Sequence, residues 1–239
     1  MFFLAPVYYL ILIYVLAAVL PAFFLMRYIY RQDTIEKEPP ALLGSLALLG
    51  VAAALVSIVL ETLGQTLLNA MVEPDDPKYI VLLAFLVVAA VEEGSKFFFL
   101  YRRTWHDYNF NYRFDGILYA VFVSLGFAAF ENIKYVFSYG LSVALPRAIL
   151  SIPGHMGFAV VMGLFYGRAK LRSNRGDRFG CRVNLALGYL AAVFLHGVYD
   201  TCCMSGTARS TVIFVVFVLM MYLAVFLLIK HESKTDAPV

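Results

Sequence analysis

The chain has 239 residues, of which 62% are apolar and only 15% charged, with a formal net charge of +3. That balance, with a mean hydropathy of +0.79, excludes an ordinary soluble domain and describes an integral membrane protein. The small basic excess fits topology determinants rather than a nucleic-acid footprint, and no nucleic-acid-binding motif accompanies it; the expected surrounding is a lipid bilayer, with no nucleic-acid partner.

The first apolar run, Phe2 to Met26, has Pro6 and Pro21 near its ends, with no clear basic leader or small-x-small cleavage site, and predicts a retained transmembrane helix. Runs at about Ala41–Leu60, Tyr79–Leu100, Gly116–Tyr139, Ala148–Tyr166, Val183–Met204 and Thr211–Ile229 follow, each near the length that crosses a bilayer. The predicted fold is all-α: a polytopic bundle of about seven transmembrane helices. Glu61–Val72 reads either as an extension of the second helix or as an interfacial segment, whose polar, outward position makes it a candidate gate. Fourteen of the nineteen Lys and Arg fall after the first, third, fifth and seventh runs, which predicts the N-terminus outside and the C-terminus in the cytoplasm. Tyr108–Phe114, beside Arg113, reads as an aromatic anchor at the inner interface.

With no polar segment longer than about fifteen residues, the sequence predicts one integral-membrane domain over 1–239 and chemistry carried out inside the bundle. Cys181, Cys202 and Cys203 are too few and too clustered for a disulfide framework and read as small apolar fillers.

Against this apolar background a few polar groups stand out. Glu92, Glu93 and Lys96 lie in the third run, Glu131 and Asn132 in the fourth, His155 after Pro153-Gly154 in the fifth, and His196 and Asp200 in the sixth. A charge at the centre of a membrane helix costs about 2.5–3.5 kcal/mol on insertion scales, so these groups need a protein interior or a hydrated cavity. Residues four apart share a helix face, which pairs Glu92 with Lys96 and His196 with Asp200. Glu92 and Glu93 are about 100° apart and are predicted to aim at different points, one reactive and one supportive. Gly188 and Ala192 continue the His196 stripe, and Ala159, Gly163 and Gly167 that of His155, as small residues that let helices approach closely. Counting from the predicted outer ends brings the polar groups together between the midplane and the outer face, beside a cavity opening outward. Pro153-Gly154 reads either as a loosened backbone beside the imidazole or as a tolerated kink near a helix start.

Glu92-Glu93-Gly94-Ser95-Lys96 matches Glu-Glu-x-x-Lys, Phe127–Asn132 matches Phe-x-x-x-Glu-Asn, and His196–Asp200 matches His-x-x-x-Asp. Three such motifs, in this order and within membrane runs, resemble the PrsW family of bacterial intramembrane proteases, related to the CAAX prenyl endopeptidases; the catalytic core covered is about 80–204. The resemblance implies a multi-pass protease of the bacterial cytoplasmic (inner) membrane. Its implied activity is the first-site cleavage of a single-span substrate such as an anti-sigma factor in envelope-stress signalling.

Glu92, Glu93, Glu131, His155, His196 and Asp200 are then the candidate catalytic residues, and Asn132 and Lys96 candidate substrate-binding residues. The resemblance leaves two chemistries open. In one, metal-free, Glu92 is the general base and His196 with Asp200 lines the oxyanion region. In the other, His155, His196, Glu131 and Asp200 hold zinc, which activates a water. The chain departs from the CAAX pattern at Glu131 and Asp200, where that pattern has histidine and asparagine. Lys134 is expected to snorkel outward or pair with Glu131, and Glu61 to sit solvated near an interface; His106 and His231 lie in basic segments and receive no role. Two other classes would also bury some of these groups: a proton- or ion-coupled transporter, which should have repeated halves with broken helices, and a non-catalytic membrane scaffold. No internal repeat is visible.

Overall fold

The computed structural model describes residues 4–239, with side chains from residue 8 onward. Among the described residues there is no strand, only an isolated bridge between Tyr112 and Pro238. Helices α1 (Leu4–Gln32) and α2 (Pro40–Met71) are followed by a third crossing. That crossing begins as α3 (Tyr79–Leu82), winds through a π-helical segment (Leu83–Ala89) and continues as α4 (Ala90–Thr104). Then come α5 (Arg113–Tyr139), the short α6 (Ala144–Ile149), α7 (Ser151–Asn174), α8 (Arg178–Met204) and α9 (Ala208–Lys234).

All seven expected runs therefore fall on helix, apart from the break between α6 and α7 at Leu150 inside the Ala148–Tyr166 run, although the first residues of the Phe2–Met26 run lie outside the described residues. Among the described residues, six helices are long and apolar enough to cross a membrane. The third crossing is the exception, because Glu92, Glu93 and Lys96 lower its apolarity and the π segment divides it. Glu61–Val72 is resolved in favour of a helix extension: α2 runs unbroken to Met71.

Helix α5 is the axis of the bundle. Every residue from Phe114 to Ala128 is buried, as expected of a helix apolar on all sides, and α7, α2 and α1 pack around it. Small residues set the spacing. A Cβ on Gly116 would lie 2.6 Å from the backbone N of Gly167, and one on Gly163 would overlap the backbone at Ile117, so α5 and α7 meet backbone to backbone. Helix α8 packs on α7 and on the π segment, α4 packs on α2, and α9 covers α7 and α8.

The ends are fastened by side-chain caps. Asp177 Oδ1 accepts from Gly180 N at the start of α8, and Thr207 Oγ1 from Ser210 N at the start of α9. At the start of α5, Asp115 Oδ2 accepts from Tyr112 N and Asp236 Oδ1 from Phe114 N, which ties the C-terminal tail to the α4–α5 loop.

That loop departs from the expected interface anchor. Phe110 and Phe114 turn into the core, where Phe110 stacks on Tyr166 with ring centroids 5.1 Å apart. Tyr108 alone of the stretch projects fully outward. Burying two large rings outweighs leaving them at the headgroup level.

Candidate active site

The π segment delivers α4 with Glu92 and Glu93 on its first turn, facing α5, α7 and α8. Lys96, one turn further, reaches back along its own helix. Its Nζ lies 3.1 Å from Glu92 Oε2 and 2.8 Å from Glu93 Oε1. The predicted divergence of the two glutamates is therefore overturned. The 100° between their Cβ atoms is closed by a long, flexible lysine stem that finds one carboxylate at i−4 and the other at i−3. A third contact comes from α7, where His155 Nδ1 is 3.1 Å from Nζ. The Phe127 ring of α5 closes the remaining side, its centroid 4.0 Å from Nζ.

Two short chains of hydrogen bonds leave this centre. Toward α8, Glu93 Oε1 accepts from His196 Nδ1 at 2.9 Å, and His196 Nε2 faces Asp200 Oδ2 at 3.3 Å. Toward α5 and α6, His155 Nε2 donates to Glu131 Oε2 at 3.1 Å, which also accepts from Arg147 Nη2 at 2.8 Å. Because His155 Nδ1 accepts from Lys96, its proton sits on Nε2, so the neutral ring carries a defined tautomer. The two imidazoles stand nearly perpendicular, with centroids 5.3 Å apart, and Phe158 stacks on His196 at 4.8 Å.

A cavity of about 410 Å³ opens beside this network. Glu92, Glu131, His155, His196 and Asp200 line it. Glu93 does not: it is fully buried behind Glu92. Asn132 and Lys96 are also absent from the lining. Asn132 Nδ2 donates to Ala18 O and its Oδ1 accepts from Arg147 Nε, both at 2.9 Å, so this side chain braces α1 and Arg147 from behind the wall.

Pro153 and Gly154 fall in the first turn of α7, where a missing N–H is harmless. The helix continues unbroken through His155, which decides for a tolerated proline near a helix start rather than a loosened backbone beside the imidazole. Gly154 earns its place by proximity instead, since a Cβ there would sit 3.3 Å from the Tyr199 ring.

Residues that sequence reasoning passed over also face the cavity. Arg147, which falls between the fourth and fifth predicted runs, sits on α6, stacked 3.8 Å over the Tyr135 ring. Glu61 lines the cavity from α2 because that helix continues past Leu60. Tyr199, one residue before Asp200, and Cys203 complete that side. Lys134 is exposed and, among the described residues, makes no ion pair with Glu131; its ammonium lies 5.6 Å over Tyr135.

One group of four potential metal donors exists among the described residues: Glu92, Glu93, His155 and His196, with ligand atoms all within 4.8 Å of one another. This group differs from the predicted set: Glu131 and Asp200 bond the far nitrogens of the two imidazoles. The donor types suit zinc, but the arrangement does not fit a metal ion. The Lys96 ammonium is already bonded to three of the four. His155 Nδ1 has one lone pair and gives it to Lys96, while His196 Nδ1 spends its proton on Glu93 and has no lone pair free.

Comparison with known proteins now identifies the lineage. A model described as PrsW family intramembrane metalloprotease matches residues 38–228. The chain belongs to the PrsW family. It is 32% identical to the protein named Protease PrsW of Clostridioides difficile (strain 630) over 211 residues, covering 87% of this chain and 86% of that one. Over 184 residues it is 35% identical to Protease PrsW of Geobacillus kaustophilus, covering 77% and 76%. The Bacillus subtilis (strain 168) protein of the same name is 29% identical over 218 residues, covering 91% and 93%. No solved structure matches the chain. The PrsW chain described here is a multi-pass membrane protease whose substrate is a protein of the bilayer.

Proposed function

We propose that this protease cuts a single-span membrane-anchored protein on the outer side of a bacterial cytoplasmic membrane, with Glu92 as general base. An anti-sigma factor is the substrate class the PrsW lineage suggests. The carrying observation is that Glu92, and not Glu93, faces the cavity, while Lys96 holds Oε2 of Glu92 from behind. The cavity lies at the end of the bundle formed by the last turns of α5 and α8 and the first turns of α7. The opposite end carries most of the Lys and Arg, which supports an outward opening, the N-terminus outside and the C-terminus in the cytoplasm. The whole chain acts as one unit, with α3 to α8 as its catalytic core.

The reaction follows from the placement. Glu92 takes a proton from a water in the cavity, and the resulting hydroxide attacks the peptide carbonyl carbon. Negative charge gathers on the carbonyl oxygen. His196, protonated on both nitrogens between Glu93 and Asp200, donates its Nε2–H to that oxygen, because its 3.3 Å contact with Asp200 is the longest in the network and the most easily exchanged. The tetrahedral carbon then expels the amine, which takes the proton held by Glu92, so one water is consumed and the carboxylate returns. Glu93 fixes the His196 ring and Glu131 fixes the His155 ring; Arg147, Asn132 and Lys96 position these groups.

The test is cleavage of a single-span reporter by the purified full chain in lipid vesicles. Glu92→Gln, nearly isosteric, should reduce cleavage by at least about 10³-fold while the protein stays folded. Glu92→Gln cleaving as well as the wild type would sink the assignment.

A further inference from the structure

Lys96 is the most deeply embedded cation in the molecule, and its surroundings are complete. An ammonium has three N–H bonds, and here three acceptors meet them: Glu92 Oε2, Glu93 Oε1 and His155 Nδ1. The Phe127 ring face occupies the fourth direction. A buried charge is tolerated only when paired and fully hydrogen-bonded, and both conditions are met without water. The same three acceptors are members of the single metal-type cluster among the described residues.

We propose that Lys96 is a built-in replacement for a metal ion. Its ammonium occupies the focus of the donors, orients the Glu92 carboxylate toward the cavity and locks the His155 tautomer, and the protease works without zinc. This deepens the reading of Glu92 as base and rests on it. Two features make the lysine a fixture. It is tethered to both carboxylates through one helical turn, so it forms with the helix itself. Its exit is barred by Phe127, which is buried between α5 and α2. The role is one of positioning, since Lys96 is not among the cavity-lining residues.

Replacing the ammonium separates this role from that of a merely structural lysine. Removing the ammonium should leave two carboxylates and two imidazoles facing one another and create a metal site. The full chain, purified in detergent, is incubated with excess zinc or cobalt chloride and desalted, and metal is counted by mass spectrometry with cobalt absorption read in the visible. The wild type should retain no stoichiometric metal and should cleave a single-span reporter equally with and without chelator. Lys96→Met, close in volume, should take up about one ion per chain with the intense visible bands of tetrahedral cobalt, and Lys96→Met/His155→Ala should lose it.

Stoichiometric zinc in the wild type, lost in His155→Ala, would overturn the proposal. So would a folded Lys96→Met that takes up no metal. Where Lys96→Met elutes as aggregate, the wild-type zinc count and its response to chelator decide alone. Absence of reporter cleavage in every sample would instead count against the protease reading, while the metal counts continue to judge the place of Lys96.

Discussion

Arg147 and His155, carried by α6 and α7, bond the same atom, Glu131 Oε2, at 2.8 and 3.1 Å. One carboxylate oxygen thus fixes a guanidinium on the cavity wall and the ring that touches Lys96. Arg147 reaches Asn132 as well, through Nε. A lysine at 147 keeps the charge but cannot make both contacts, because its ammonium is a single point and the guanidinium is a planar fork. Arg147→Lys is expected to lower kcat for reporter cleavage by about tenfold with less than about a threefold change in KM. Unchanged kcat would show that the two-point contact does not position the site.

Glu61 tests the opposite split. It faces the cavity from α2 and, among the described residues, forms no hydrogen bond or ion pair with the network around Lys96. Glu61→Gln should therefore alter KM by about threefold or more and leave kcat within about twofold. A collapse of kcat would move Glu61 into the chemistry. Comparing reporters with acidic and basic residues next to the scissile bond would read the sign of its contribution.

Helix spacing gives a stability experiment with an internal control. A methyl on Gly163 would press into the backbone of Gly116 and Ile117, whereas one on Gly44 would meet nothing within 4 Å. Gly163→Ala is expected to destabilise the bundle by about 1–3 kcal/mol, as overpacking generally does. Gly44→Ala, at an exposed position of α2, should be neutral or slightly stabilising through its better helix propensity. Thermal unfolding in detergent checks both. Equal melting temperatures would mean that α5 and α7 can part at little cost.

The loop between α1 and α2 holds two buried acids, Asp33 and Glu38, each with one oxygen that no hydrogen bond reaches. Burial pushes the Asp33 carboxyl up to about 6 and that of Glu38 up to about 7. Both values exceed those of the unfolded chain, so the folded protein binds these protons more tightly. The stability they contribute is complete below about pH 4 and is lost as pH rises through 6 to 7. Glu38→Gln should accordingly raise the melting temperature by a few degrees above about pH 8 and by progressively less toward pH 4. A gain that is constant across that range would remove titration as its cause.

The sequence made the lineage and the helical pairs legible, and it did so through residues close in the chain. Glu92 with Lys96 and His196 with Asp200 obey the four-residue spacing, and both pairs form. The meeting of Glu93 with His196, 103 residues apart, depends on how α4 and α8 pack, which no local pattern encodes. The convergence of Glu92 and Glu93 was missed because backbone angles say nothing about where a flexible side chain ends. Arg147 was hidden because it falls between the fourth and fifth predicted runs, on α6, whose six residues are too few to show a period. Glu61 was hidden by a span boundary drawn at the bilayer length, whereas α2 continues for about three more turns, to Met71.

The π segment at Leu83–Ala89 gives the third crossing a different winding before and after it. A π turn takes in about one residue more than an α turn of the same advance. Were all seven residues to wind as α-helix, with none deleted, Glu92 would swing by about 100° relative to Tyr79–Leu82, away from His155 and the cavity. Deleting one residue while the segment relaxes to α geometry would instead keep the two flanks nearly in register. The winding between Tyr79 and Glu92 is therefore as much a part of this enzyme as the side chains themselves, since losing it at constant length would disarm the protease with every named residue still present.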